Sequence, residues 1–140
     1  AVDGFAQLFF KSVEDRAIAY ASPELAACDR DSPLFIGQVT RAITDITALG
    51  EGRSAHKLMV LIPPGEPLDE ADLRALPGLI GGQFHRVLQQ GAAPNSVVAE
   101  LHCPLRALAE LWFADAETMR TAATRCHNAA VYAVHEHEFI

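Results

Sequence analysis

Short apolar runs and helical spacings alternate along the chain, and together they predict a mixed α/β order. Phe5-Ala6-Gln7-Leu8-Phe9-Phe10 is an apolar and aromatic run that reads as a strand. Ser12 then stands as an N-cap candidate, with Asp15 three residues on and Val13, Arg16, Ala17 and Tyr20 at helical spacing. Ser22-Pro23 breaks that pattern, and Pro23 starts a second helical stretch through Leu25, Ala26 and Ala27. Residues 29–33 read as loop. Val39 to Ala48 alternates and is rich in Thr and Ile, which favours a strand. After Gly50-Glu51-Gly52-Arg53-Ser54, the clearest linker, Lys57 to Ile62 is a buried-type strand stopped by Pro63-Pro64-Gly65. Asp69 caps a short helix that Pro77-Gly78 closes early. Phe84 to Gln90 reads as a strand, Gly91 to Asn95 as a turn, and Ser96 to His102 as its extension or a return pairing. Leu108 to Phe113 is a further strand, Asp115 caps a helix through about Arg125, and Ala130 to Phe139 is a last strand. The order is therefore β-α-β, linker, β-α-β-β-α-β.

An internal repeat sharpens this reading. Residues 5–21 laid over residues 108–124 match Ala6, Leu8, Phe10, Glu14 and Ala19 with Ala109, Leu111, Phe113, Glu117 and Ala122, five identities in 17 ungapped positions. Residues 57–140 hold a complete β-α-β-β-α-β unit, the ferredoxin-like arrangement, and residues 5–48 only the second half of another. The predicted segmentation is 1–49 as a half repeat, 50–56 as linker and 57–140 as a complete repeat. A strand-helix-strand piece cannot cover both faces of its own sheet, so it must lie against the complete unit, another chain or further residues before Ala1.

Two segments carry a family resemblance. Lys57-Leu58-Met59-Val60-Leu61-Ile62, followed by Pro and an acidic helix start, resembles the first strand and helix of the EthD-like proteins. Ala109-Glu110-Leu111-Trp112-Phe113 with Asp115-Ala116-Glu117 resembles their third strand and second helix. The resemblance implies an α+β fold of the dimeric α/β-barrel superfamily. There, antiparallel four-stranded sheets meet face to face with helices on the outer face, through self-association or an intrachain pseudo-dimer. The chain is similar to the C-terminal three-quarters of a tandem member. The family usually carries His-Gly-Pro near the end of the first helix, and its His is the usual candidate for an active-site role. The matching place here reads Leu76-Pro77-Gly78-Leu79, so that role is not carried over. Barrel relatives include cofactor-independent oxygenases of aromatic polyketides, haem enzymes and lactone isomerases, and fold does not choose among them.

Composition narrows the partners. Half of the 140 residues are hydrophobic, which excludes a disordered chain. With 11 Lys and Arg against 18 Asp and Glu, the net charge of −7 argues against nucleic acid or an anionic membrane as partner. No window approaches a membrane span, and Ala1-Val2-Asp3-Gly4 opens no signal peptide. A start at Ala1 rather than Met leads to the expectation of a processed chain or a piece of a longer one. Cys28, Cys103 and Cys126 are odd in number and lack a Cys-x-x-Cys pair, so they read as reduced, buried, inert thiols of a cytoplasmic protein.

Strand alternation sorts the candidate chemistry. Ala109, Leu111 and Phe113 form an apolar face suited to helices, while Leu108, Glu110 and Trp112 point to a cavity. The matching face of the first copy is Phe5, Gln7 and Phe9. Glu110 between Leu and Trp is expected to have its pKa raised by desolvation, as suits a general base. The competing reading pairs it with Arg86 or Lys57, or leaves it in solvent. His85 alternates with Gln83 and Val87 and is a second catalytic candidate, or a packing residue. Trp112, Phe9 and Gln7 are the substrate-binding candidates. His135 and His137 have a two-ligand metal spacing, but a third ligand would have to come from His85, His102 or Glu110. The pairs His102-Cys103 and Cys126-His127 point their side chains apart if on strands. No phosphate loop or nucleophile elbow is present in the sequence, and Gly78 to Gly82 lacks the Lys and Ser or Thr of a nucleotide loop. The primary expectation is a small-molecule enzyme without cofactor or metal, acting on an apolar, aromatic or polyketide-like substrate. The alternatives are a non-catalytic ligand-binding or assembly module and a metal-dependent enzyme using His135 and His137.

Overall fold

The computed structural model describes residues 2–92 and 96–138. Its elements are α1 (Val13–Tyr20), α2 (Pro23–Asp31), a 3-10 turn (Ser32–Leu34), β1 (Gln38–Val39), β2 (Arg41–Glu51), β3 (Lys57–Ile62), α3 (Glu70–Arg74), β4 (Leu79–Gly91), β5 (Ala99–Glu100), β6 (Ala107–Phe113), α4 (Ala116–Arg125) and β7 (Ala130–Val134). Part of the turn expected over residues 91–95, and the far end of the strand expected to reach Phe139, lie outside the described residues. Two compact units result, Ala1–Val39 with Ala92–Leu101, and Thr40–Gly91 with His102–Ile140.

The larger unit is α+β. Its sheet has the order β2-β4-β6-β3-β7, every neighbouring pair antiparallel. The strands β3, β4, β6 and β7 follow a β-α-β-β-α-β path. Each helix-containing connection skips one strand, so β6 and β3 occupy the centre. Alternation then divides the sheet. Leu58, Val60, Ile62, Phe84, Ala109, Leu111 and Phe113 join Leu73, Leu76, Ala122 and Cys126 in one core. The odd positions of β6 therefore meet the helices, as the sequence pattern implies. Asp69 and Asp72 cap α3 reciprocally, each side chain accepting from the other's backbone N–H at 3.0 Å. Asp115 caps α4 by accepting from Thr118 N at 2.8 Å.

Gly81 is required where β2 ends against β4. Gly52 N donates to the Ile80 carbonyl at 3.0 Å, and a Cβ on Gly81 would run into the Gly52 backbone. That close approach is why β2 runs on to Glu51, paired with Gly81, through what the sequence marks as linker.

The first forty residues differ from expectation. Residues 5–10 form no strand, so the repeat survives only as a capped helix, with Ser12 accepting from Asp15 N as Asp115 does from Thr118 N. Helices α1 and α2 contain no buried residue, so the smaller unit lacks the apolar support that holds a lone strand in place. The predicted strand over 39–48 does form. It enters the sheet of the larger unit as a fifth, outer strand, satisfying the need for cover by joining rather than by facing. Among the described residues the only other sheet is the parallel pair β1-β5, Gln38 opposite Ala99, in the smaller unit. A second four-stranded sheet, and with it an intrachain pseudo-dimer, is therefore not formed within them. The boundary between the two units falls at Val39/Thr40. Of the thiols, Cys126 is buried and burial pushes its pKa up, while Cys28 is exposed on α2, against the expectation that all are buried.

Two outcomes follow from this core. Leu111→Ala removes a fully buried side chain from a central strand and should lower unfolding free energy by about 2–5 kcal/mol in urea titration. The Thr118 backbone N–H holds the Asp115 carboxyl below its usual 3.8. A depressed folded pKa gives stabilisation that is present above the unfolded value and lost as pH falls through the folded one. Asp115→Ala should therefore melt a few degrees lower at pH 7, with the difference shrinking as pH falls from about 4 toward 2. Asp115→Asn should keep the cap and lose that pH dependence.

Candidate active site

Away from the helices, the sheet carries a file of polar side chains, one from each strand or its continuation. Glu110 sits mid-strand on β6, opposite Gln83 of β4 and Met59 of β3. Its two oxygens take their partners diagonally, two residues along each neighbour, within the reach of long side chains across a ladder. Lys57 Nζ donates to Oε1 at 2.8 Å, and His85 Nε2 lies 2.6 Å from Oε2. Thr44 Oγ1 on β2 is 3.2 Å from His85 Nδ1. At the other end, Lys57 Nζ is 3.1 Å from Glu136 Oε1, just past β7.

Burial makes this file consequential. Glu110 is 2% exposed, Lys57 6% and His85 7%. An ionised carboxylate in such a place is tolerated only when paired and hydrogen-bonded. Lys57 supplies the countercharge and the His85 ring a second donor. With Nε2 carrying a proton toward Glu110, the neutral ring accepts the Thr44 hydroxyl at Nδ1. A doubly protonated ring donates to the same oxygen, so Thr44 serves both states.

Trp112 extends the site. It lies directly opposite Lys57, whose ammonium sits 4.5 Å from the ring centroid, while the Arg53 guanidinium approaches to 5.0 Å. The indole Nε1 is buried and has no hydrogen-bond partner among the described residues. The same two cations line an open cleft of about 380 Å³, together with Val134, His135, Glu136 and His137 among others.

The structure thus brings together Glu110, His85 and Trp112, with the Lys57 partnership that was the competing reading of Glu110. Arg86, the other suggested partner, instead pairs with Asp45 at 2.6 Å on the opposite side of the sheet. Phe9 and Gln7 are the two remaining candidates. They lie in the smaller unit in a stretch without strand pairing, both exposed, Phe9 at 74%, and the alternation that placed them on a cavity face is absent. His135 and His137 fall beyond the end of β7, so strand spacing does not govern them. Among the described residues no group of three or more His, Cys, Asp or Glu could hold a metal ion.

Sequence reasoning missed Thr44, Arg53 and Glu136. Thr44 reaches His85 because a bulge at Ile43/Thr44 resets the register of β2 on β4. No spacing rule signals this, although the alternation over 39–48 marks the strand itself. No helix among the described residues is long and apolar enough to cross a membrane. No family model, curated protein or solved structure matches the chain.

The pairing predicts an asymmetry. Lys57→Met leaves a buried carboxylate without its countercharge and should cost about 3–5 kcal/mol of stability. Combining Lys57→Met with Glu110→Met should recover most of that loss in the same denaturant titration.

Proposed function

We propose that this chain is a small-molecule enzyme of the EthD-like, ferredoxin-like barrel type, in which Glu110 acts as general base on an apolar or aromatic substrate. The observation that carries the reading is the buried Glu110 carboxylate with Lys57 on one oxygen and His85 on the other. Its position on the sheet face away from the helices, beside Trp112, supports it further. The strand order β4-β6-β3-β7 with two strand-skipping helical connections supports the ferredoxin-like assignment. In this reading a second copy closes the barrel over the polar file.

The chemistry follows from the two oxygens. His85 fixes Oε2, so Oε1 is the basic atom. Lys57 has a second anionic contact on its outer side, filled by Glu136 in the structure, so an outer anion holds the ammonium when Oε1 is released to the substrate. Oε1 then takes a proton from a weakly acidic C–H or O–H. The electron pair left on the substrate is stabilised by the adjacent ammonium. His85 is a positioning residue that keeps the carboxylate from rotating, and Thr44 orients His85.

A second reading, a ligand-binding or assembly module without catalysis, is favoured by one observation, the missing family His at Leu76–Leu79. Glu110→Gln decides between them. With enolisable aromatic or polyketide-like substrates, solvent-deuterium exchange, isomerisation or oxygen uptake should fall by about 10²–10⁴ in this variant. A rate unchanged from the parent removes Glu110 as base, and no turnover by the parent across the panel supports the binding module.

A further inference from the structure

The cleft lined by Arg53 and Lys57 holds a surplus of donors. Arg53 is exposed, and its only interaction among the described residues is with the Trp112 ring. It therefore has no carboxylate partner. The indole N–H of that ring is buried and has no partner among the described residues. Lys57, the second cation on the same ring, has an inner countercharge in Glu110 and an outer one in Glu136.

The two countercharges are not equivalent. Glu110 is held in the middle of a central strand. Glu136 is 37% exposed and lies after β7, on backbone without regular structure. A ligand oxygen entering the cleft competes with Glu136 far more easily than with Glu110. The apolar contribution to the lining comes from Val134 and Ala55, which limits the ligand body to a small one, while Glu138 on the lining disfavours a second negative group.

We infer that the cleft is an anion subsite for a small organic monocarboxylate, which is clamped by Arg53 and takes the place of Glu136 on Lys57. The inference deepens the reading of Glu110 as base. It names the charged handle of the substrate, and it makes Glu136 an internal competitor that occupies Lys57 until that handle arrives. Drawing Lys57 outward toward the ligand then frees Oε1 of Glu110 only when substrate is bound. Arg53 is suited to the task because its planar fork matches a carboxylate, whereas Lys57 acts as a point charge.

The test reads binding rather than turnover. Trp112 is the only tryptophan in the chain and touches both cations, so its emission reports on the cleft. Titrations with benzoate, benzamide and benzylamine are followed by indole emission and by calorimetry. Benzoate should bind saturably at millimolar concentration or below, with at least tenfold preference over the neutral amide and the amine. Arg53→Gln, a change at an exposed side chain, should weaken benzoate at least tenfold. Glu136→Gln, which removes the competitor, should tighten it several-fold. Equal binding of benzamide, preference for benzylamine, no saturable benzoate signal by either method, or a Glu136→Gln variant that binds no tighter overturns the inference. Benzoate binding of the expected pattern without any Glu110-dependent turnover sinks the base reading alone. Glu110-dependent turnover without carboxylate preference sinks this one alone.

Discussion

A carboxylate in the middle of a central strand is the constraint around which the sheet is organised. Glu110 has Ala109 and Leu111 as chain neighbours, both in the apolar core, so the peptide cannot turn its side chain outward without unpicking that core. Strand alternation places the charge on the far face, and the far face must then neutralise it. Lys57 and His85 do so from the two flanking strands. The geometry leaves little slack, because each partner must lie two residues along its own strand from the position opposite Glu110.

The rest of the larger unit can be read from that requirement. Order β4-β6-β3 is needed to bring His85 and Lys57 to opposite sides of one strand, and it is the order that two helix-containing crossovers produce. The helices cover one face with aliphatic and aromatic side chains. The polar file takes the other, from Thr44 on the outermost strand to Glu136 beyond the last. Replacing such a file with hydrophobic residues of equal size is often neutral or stabilising, so its presence is weak support for a purely structural role. Its neighbourhood is an indole flanked by two cations, both of which line an open cleft.

Much of this unit was legible in the sequence. The strands over 57–62 and 108–113, the Asp69 and Asp115 caps and the division of faces on β6 follow from apolar runs, period-two patterning and capping chemistry, which are local. The Lys57–Glu110 pairing was one of two charge partners that strand neighbourhood allowed. The opening segment was not legible. Residues 5–10 have the apolar content of a strand but no covered surface to lie on, and tertiary support outweighs propensity. The extension of β2 into the Gly-rich stretch was hidden for a related reason. Glycines read as a linker, yet at Gly81 and Gly52 they permit two backbones to touch. Thr44, Arg53 and Glu136 depend on a bulge and on chain ends, features with no periodic signature.

The row of charged and polar groups also acts as a key for strand alignment during folding. Sliding any one of the strands β4, β6 or β3 by a single residue would turn His85, Glu110 or Lys57 into the helix-covered oil and push Phe84, Leu111 or Leu58 out of it. A purely aliphatic sheet tolerates such misalignment at small penalty. Here each shifted pairing strands an uncompensated charge, so one registration of the sheet is favoured over its neighbours.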